Sequence, residues 1–231
     1  MPHNRAVVFD LDDTLYPFRR FVLSGCAACA RRLERRRGVD ARRAFRWMAR
    51  AFREGAQGRE VQTALRMLGL PDRLTPGLVD IIIWGRELNL RLPASTRQAL
   101  AALRCHGWKI GVLTNGDPAV QARKIDALDL ADHVDAIVFA NEHGGGKPET
   151  APFLEVARRL RVAPSRIVVV GDDEWCDVNG ARRAGMRSVR FVGHRHWPQG
   201  PSAADLVLKH IADLPRAAAQ LLADHRESHA A

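Results

Sequence analysis

Three carboxylates, Asp10, Asp12 and Asp13, crowd into four positions directly behind the apolar run Val7, Val8 and Phe9. Asp10 and Asp12 are two residues apart, so their side chains point to one side wherever the chain stays extended. Two carboxylates so placed can divide labour, one attacking as a nucleophile and the other giving and taking a proton. Three later apolar runs end in groups that could serve the same site. One leads into Thr114, Asn115 and Gly116. Their hydroxyl, amide and turn N–H groups can hold phosphate oxygens, while Asp117 and Pro118 also read as the cap and first residue of a helix. Another leads to Lys147 behind three glycines. It is one of 4 lysines against 32 arginines, a compact point charge in a chain that otherwise uses guanidinium. The last ends in Asp172, Asp173 and Asp177. Asp10, Asp12 and these three, gathered at one sheet edge, would repel strongly unless a cation sat among them, and an all-oxygen ligand set favours Mg²⁺.

The elements that must position these residues are short apolar strands, expected at 6–10, 110–115, 136–141, 166–172 and 188–192, with a last strand-like segment ADLVLK. Helical stretches such as PAVQARKIDALDL and APFLEVARRLRV separate them. This alternation predicts a parallel sheet covered on both faces, in which ligands bind at the carboxyl ends of the strands. Nearly one hundred residues lie between the first strand and the second, where a βα unit needs about thirty. Residues 18–92 instead carry helical patterns near 18–37, 40–54, 58–69 and 76–88. The expected division is a catalytic core of residues 1–17 and 93–231, with a helical cap, 18–92, inserted behind the acidic loop as a lid. Phe45, Trp47 and Trp84 read as its packed interior. Cys26 and Cys29 read as small apolar residues one helical turn apart, since no second pair follows to complete a zinc site.

With 46% hydrophobic and 27% charged residues, the composition is ordinary for a soluble globular protein. No run approaches the roughly 18 to 20 apolar residues of a membrane span, and MPHNRAVVFD lacks the apolar segment of a signal peptide. A cytoplasmic protein is expected. The net charge of +10 could suit nucleic acid, but the arginines run from Arg5 to Arg226 without forming one stripe. No nucleic-acid partner is expected, and the basic excess reads as an attraction for anionic phosphorylated substrates.

Taken in order, FDLDDT, VLTNG, GGGKPE and VVVGDDEWCDVNGARRAGM resemble the four motifs of the haloacid dehalogenase superfamily, and the helical insertion resembles its C1-type cap. The resemblance spans about residues 5–215. It implies a Rossmann-like, doubly wound α/β core and a Mg²⁺-dependent phosphohydrolase acting on a small phosphorylated metabolite, such as a nucleotide or sugar phosphate. On that resemblance Asp10 is the nucleophile that forms an aspartyl-phosphate, and Asp12 is the general acid and base. Thr114 and the backbone of Asn115 bind the transferring phosphoryl group, and Lys147 holds Asp10 and phosphate together. Mg²⁺ sits on Asp10, the backbone carbonyl of Asp12 and Asp172, with Asp177 assisting. Asp173 departs from the small polar residue often found at its position, which leaves the choice between Asp173 and Asp177 open. Phe18 and Arg19 lead into the cap and would meet the leaving group.

Three other readings share these residues. A phosphomutase would transfer the phosphoryl group to a sugar instead of water. A 2-haloacid dehalogenase is disfavoured by Asp12, because that pattern lacks the second acid and needs no metal. A non-catalytic phosphate-binding protein would keep the fold alone. The superfamily's phosphonate-cleaving relatives require a cap lysine, and here the first lysine is Lys109.

Overall fold

The computed structural model describes residues 5–55, 58–85, 88–194 and 200–227. The chain divides into two compact units, Met1–Pro17 with Arg91–Ala231, and Phe18–Leu90. The larger contains six strands: β1 (Ala6–Phe9), β2 (Lys109–Thr114), β3 (Ala136–Phe139), β4 (Ile167–Gly171), β5 (Arg187–Phe191) and β6 (Leu206–Leu208). All pair in parallel, in the order β3-β2-β1-β4-β5-β6. Each strand forms within two residues of its expected place. α1 (Arg19–Arg37), α2 (Ala41–Arg53), α3 (Glu60–Met67) and α4 (Thr75–Trp84) belong to the smaller unit. α5 (Ala94–Cys105), α6 (Pro118–Ala127), α7 (Thr150–Leu160), α8 (Gly180–Arg183) and α9 (Leu214–Glu227) belong to the larger.

The sheet is the doubly wound α/β arrangement. β1 is fully buried along its length, as a strand without polar alternation must be. Ala6 and Val8 join Phe153, Val156 and Leu160 of α7 in one core cluster, and alternation along the strand turns Val7 and Phe9 to the opposite face. The chain leaves β1 toward β2 and β3 on one side and resumes with β4 on the other. The crevice beyond β1 and β4 is therefore the topological switch point, where such sheets bind ligands. Phe9 lies opposite both Val112 and Val170. The Asp10 N–H still donates to the Val170 carbonyl at 2.9 Å, so the first residue past β1 is held by the sheet.

In the smaller unit, α1 packs against α2 and α4, and α2 against α3. Cys26, Cys29, Leu33, Met48, Leu65 and Leu78 form its interior. Burial pushes the Cys26 and Cys29 thiols up to about 12, so they remain protonated packing groups. Asp40 caps α2 by accepting from the Arg43 N–H at 2.6 Å. α4 ends at Trp84, short of the expected 88, at Gly85; residues 86 and 87 lie outside those described. Trp84 corrects the expected interior. As the last residue of its helix it is 48% exposed, while Phe45 and Trp47 are partly buried. No described helix is long and apolar enough to cross a membrane.

Candidate active site

Four strand ends of the larger unit converge on one ammonium group. Lys147 Nζ donates to Asp10 Oδ1 at 2.6 Å, to Asp177 Oδ1 at 2.6 Å and to the Leu113 carbonyl at 3.1 Å, which engages all three of its N–H bonds. Its side chain is 3% exposed. Burial alone would lower the lysine's pKa, but Asp10 and Asp177 outweigh it and hold the group above its ordinary value. Asp10 shows the converse. Burial pushes its pKa well above the usual carboxylate range; Lys147 opposes this, while Asp177 and Asp172 add to the rise.

Local backbone chemistry explains how Lys147 arrives. Gly144, Gly145 and Gly146 have φ of 69°, 96° and 89°, a left-handed run that glycine alone adopts freely. A Cβ on Gly146 would stand 2.9 Å from Asn115 Oδ1. That oxygen accepts from the Lys147 N–H at 2.8 Å, and Asn115 Nδ2 donates to the Lys147 carbonyl at 3.0 Å. The β2 loop and the lysine loop are thus clamped reciprocally. On the other side, a Cβ at Gly171 would lie 2.2 Å from Asp177 Cγ, so only glycine lets Asp177 approach β4. Asp177 Oδ2 then accepts from the Asp173 N–H at 3.1 Å.

Carboxylate oxygens of Asp10, Asp172 and Asp177 lie within 4.8 Å of one another, and all three residues are buried. Asp173 is not among them. Its Oδ1 accepts from the Trp175 and Cys176 N–H groups at 2.9 and 2.7 Å, capping the turn Glu174–Asn179. That settles the choice between Asp173 and Asp177 as the third member of the cluster. Five gathered carboxylates are expected from the sequence, and three gather. These three against one ammonium carry excess negative charge in a buried place, which is costly without a further cation. The donor set is oxygen only, which fits Mg²⁺.

Asp12 stands apart from this cluster. β1 ends at Phe9, and Asp13, at φ 57°, turns the chain through the left-handed region. Asp12 Oδ1 accepts from the Tyr16 hydroxyl at 2.5 Å. Its Oδ2 accepts from Lys124 Nζ at 2.7 Å and Gln121 Nε2 at 3.3 Å. Gln121 Nε2 also donates to Thr114 Oγ1 at 2.5 Å. Burial and the neighbouring Asp12 raise the Tyr16 pKa, so the phenol acts as a donor. Gln121 and Lys124 both come from α6, whose N-terminus is capped by Asp117 accepting from Ala119 and Val120. The Asp117–Pro118 cap therefore forms, and the helix it starts serves the site.

Asp10, Asp12, Thr114, Asn115, Lys147, Asp172 and Asp177 all lie in the larger unit, joined by these contacts or by the carboxylate cluster. Phe18 and Arg19 open the smaller unit, with Phe18 stacked on Phe21 at 5.8 Å and Arg19 exposed.

A model of haloacid dehalogenase-like hydrolases matches residues 4–185. The chain belongs to the haloacid dehalogenase-like hydrolase family. It is 30% identical to a glyceraldehyde 3-phosphate phosphatase of Methanopyrus kandleri, over 92% of this chain and 94% of that one. It is also 30% identical to a ribulose-1,5-bisphosphate 5-phosphatase of Halopiger xanaduensis, over 80% and 84%. A solved 2-haloacid dehalogenase from Pseudomonas syringae superposes with a TM-score of 0.63 at 26% identity, covering 94% of this chain and 98% of that one.

Within this haloacid dehalogenase-like hydrolase, sequence reasoning overlooked Tyr16, Gln121 and Lys124. The signal for Lys124 was present. It is another of the 4 lysines, so the rarity that marks Lys147 marks it equally, and Gln121 lies one helical turn before it on the same face.

Proposed function

We propose that the chain is a Mg²⁺-dependent phosphohydrolase that removes phosphate from a small phosphorylated metabolite through an aspartyl-phosphate on Asp10. The observation that carries this reading is the Lys147 ammonium joining Asp10 to Asp177 beside Asp172, with Thr114 and Asn115 at the adjoining strand end. The similarity to sugar-phosphate phosphatases over 92% and 80% of the chain supports it.

In this reading Lys147 fixes the Asp10 carboxylate for attack on phosphorus, and the bond from phosphorus to the leaving oxygen breaks as the new one forms. Asp12 gives its proton to that leaving oxygen. It then takes a proton from water, whose oxygen attacks phosphorus and restores Asp10 as inorganic phosphate departs. Thr114 and the Asn115 backbone bind the equatorial phosphoryl oxygens. Asp10, Asp172 and the Asp12 carbonyl would hold Mg²⁺, with Asp177 in support, and the ion would neutralise charge developing on the phosphoryl group. Phe18 and Arg19 are assigned to the leaving group, and the helical unit they open to the role of cap. The test is phosphate release from p-nitrophenyl phosphate and from a panel that includes glyceraldehyde 3-phosphate and ribulose 1,5-bisphosphate. Activity is expected to vanish with EDTA and return with Mg²⁺. Asp12→Ala is expected to abolish turnover and retain phosphate binding; retained turnover would remove Asp12 from its role. Inactivity across the whole panel with Mg²⁺ present would sink the reading.

The similarity to a 2-haloacid dehalogenase motivates a second reading, with Asp10 attacking carbon in place of phosphorus. Asp12 and its three donors have no task in that chemistry. Halide release from a 2-haloacid in the presence of EDTA would favour it.

A further inference from the structure

Lys124 is a buried cation with no part in the reaction as laid out above. It is 4% exposed, yet it pairs with a carboxylate that is 28% exposed. As a device for stability such a pair is weak, since an apolar residue in the same place is often as good or better. What the pair does accomplish is geometric. Asp12 lies on a turn, beyond the strand that fixes Asp10, and its carboxylate has two rotatable bonds. Tyr16 grips one oxygen; Lys124 and Gln121 grip the other. Gln121 extends the same grip to the Thr114 hydroxyl. A single helix, α6, therefore sets the distance between Asp12 and the phosphate-binding end of β2.

We infer that Lys124 is a positioning residue for Asp12, holding it where it can protonate the leaving group, with Tyr16 as the opposing anchor. The inference rests on the phosphohydrolase reading and assigns a task to residues that reading leaves idle. Misplacing a reacting group by about 1 Å costs on the order of 100-fold, and general acid catalysis is worth about 10²- to 10⁴-fold. The loss must fall on substrates whose leaving oxygen needs a proton. A dinitrophenolate leaves unprotonated, whereas an alkoxide does not.

The experiment compares kcat/KM for an alkyl phosphate and for 2,4-dinitrophenyl phosphate in Lys124→Met and in Tyr16→Phe. This ratio reports only the steps up to phosphoryl transfer onto Asp10, so the later attack by water does not blur the comparison. For Lys124→Met the alkyl phosphate is expected to lose about 100-fold, and the dinitrophenyl ester less than about 3-fold, because its departure does not depend on the acid. Tyr16→Phe is expected to show the same split, smaller, and it keeps the inference testable should Lys124→Met fail to fold. Equal losses on both esters, or none, with an active wild type would overturn the inference and leave the phosphohydrolase reading standing. A wild type that hydrolyses neither ester would overturn both.

Discussion

The two units carry equal numbers of arginines and very different net charge. Phe18–Leu90 holds 16 arginines against 7 acidic residues, a net of +9 out of the chain's +10. The larger unit holds 20 basic against 19 acidic residues. The arrangement differs as much as the sum. In the larger unit Lys147, Lys124, Asp10 and Asp177 are buried and mated at short range, with Asp172 buried beside Asp10 and Asp177. In the smaller unit Arg31, Arg32, Arg35, Arg36 and Arg37 of α1, and Arg42, Arg43, Arg46, Arg50 and Arg53 of α2, are exposed. Desolvated charges interact strongly and must be fixed in geometry, which is what a reaction centre requires. Exposed charges are screened within about 8 Å at physiological salt. They act as a field on approaching ions, while contributing little to the fold.

Four changes would break or sharpen that contrast. The largest effect is expected for Asp10→Asn, which keeps the shape and removes the proposed nucleophile: kcat for p-nitrophenyl phosphate should fall by at least about 10⁴-fold. Lys147→Met should come next. It leaves Asp10 and Asp177 buried without their counter-charge, at a cost of about 3–5 kcal/mol in urea unfolding, together with loss of turnover. An unchanged urea midpoint would show that water reaches the cluster and that the buried half of the comparison is wrong. Replacing Arg32, Arg36, Arg43 and Arg46 together by Gln should lower kcat/KM for a phosphomonoester a few-fold at low salt, with the difference disappearing at about 0.5 M NaCl. A difference that persists at high salt would mean that these arginines make direct contacts. Smallest is Arg50→Gln, which breaks an exposed pair with Glu54 at 2.7 Å and should shift stability by no more than about 0.5 kcal/mol.

Much of the sheet was legible because buried parallel strands are uniformly apolar, and their ends are marked by an abrupt switch to Asp, Thr, Lys and Gly. Asp10, Lys147 and Asp172 were legible for the same reason, each standing at such a switch or in a glycine loop. Asp173 and Asp177 could not be told apart, since both are acidic and close in sequence. The capping geometry of the Glu174–Asn179 turn sends one to backbone N–H groups and the other to Lys147. Trp84 misled because an aromatic residue in a helical pattern reads as interior, although Gly85 directly behind it is a local signal that the helix stops there.

The amino-acid sequence by itself determined the parallel α/β class, the order of the strand-end motifs and the identity of a nucleophile candidate. These depend on hydrophobic runs and on residues adjacent along the chain. Only the tertiary structure decided which carboxylates share a charge and which helix reaches Asp12. Lys147 meets Asp10 across 137 residues and Lys124 meets Asp12 across 112. Such pairings follow from sheet register and helix placement, and an ion pair leaves no periodicity in the chain to announce its partner.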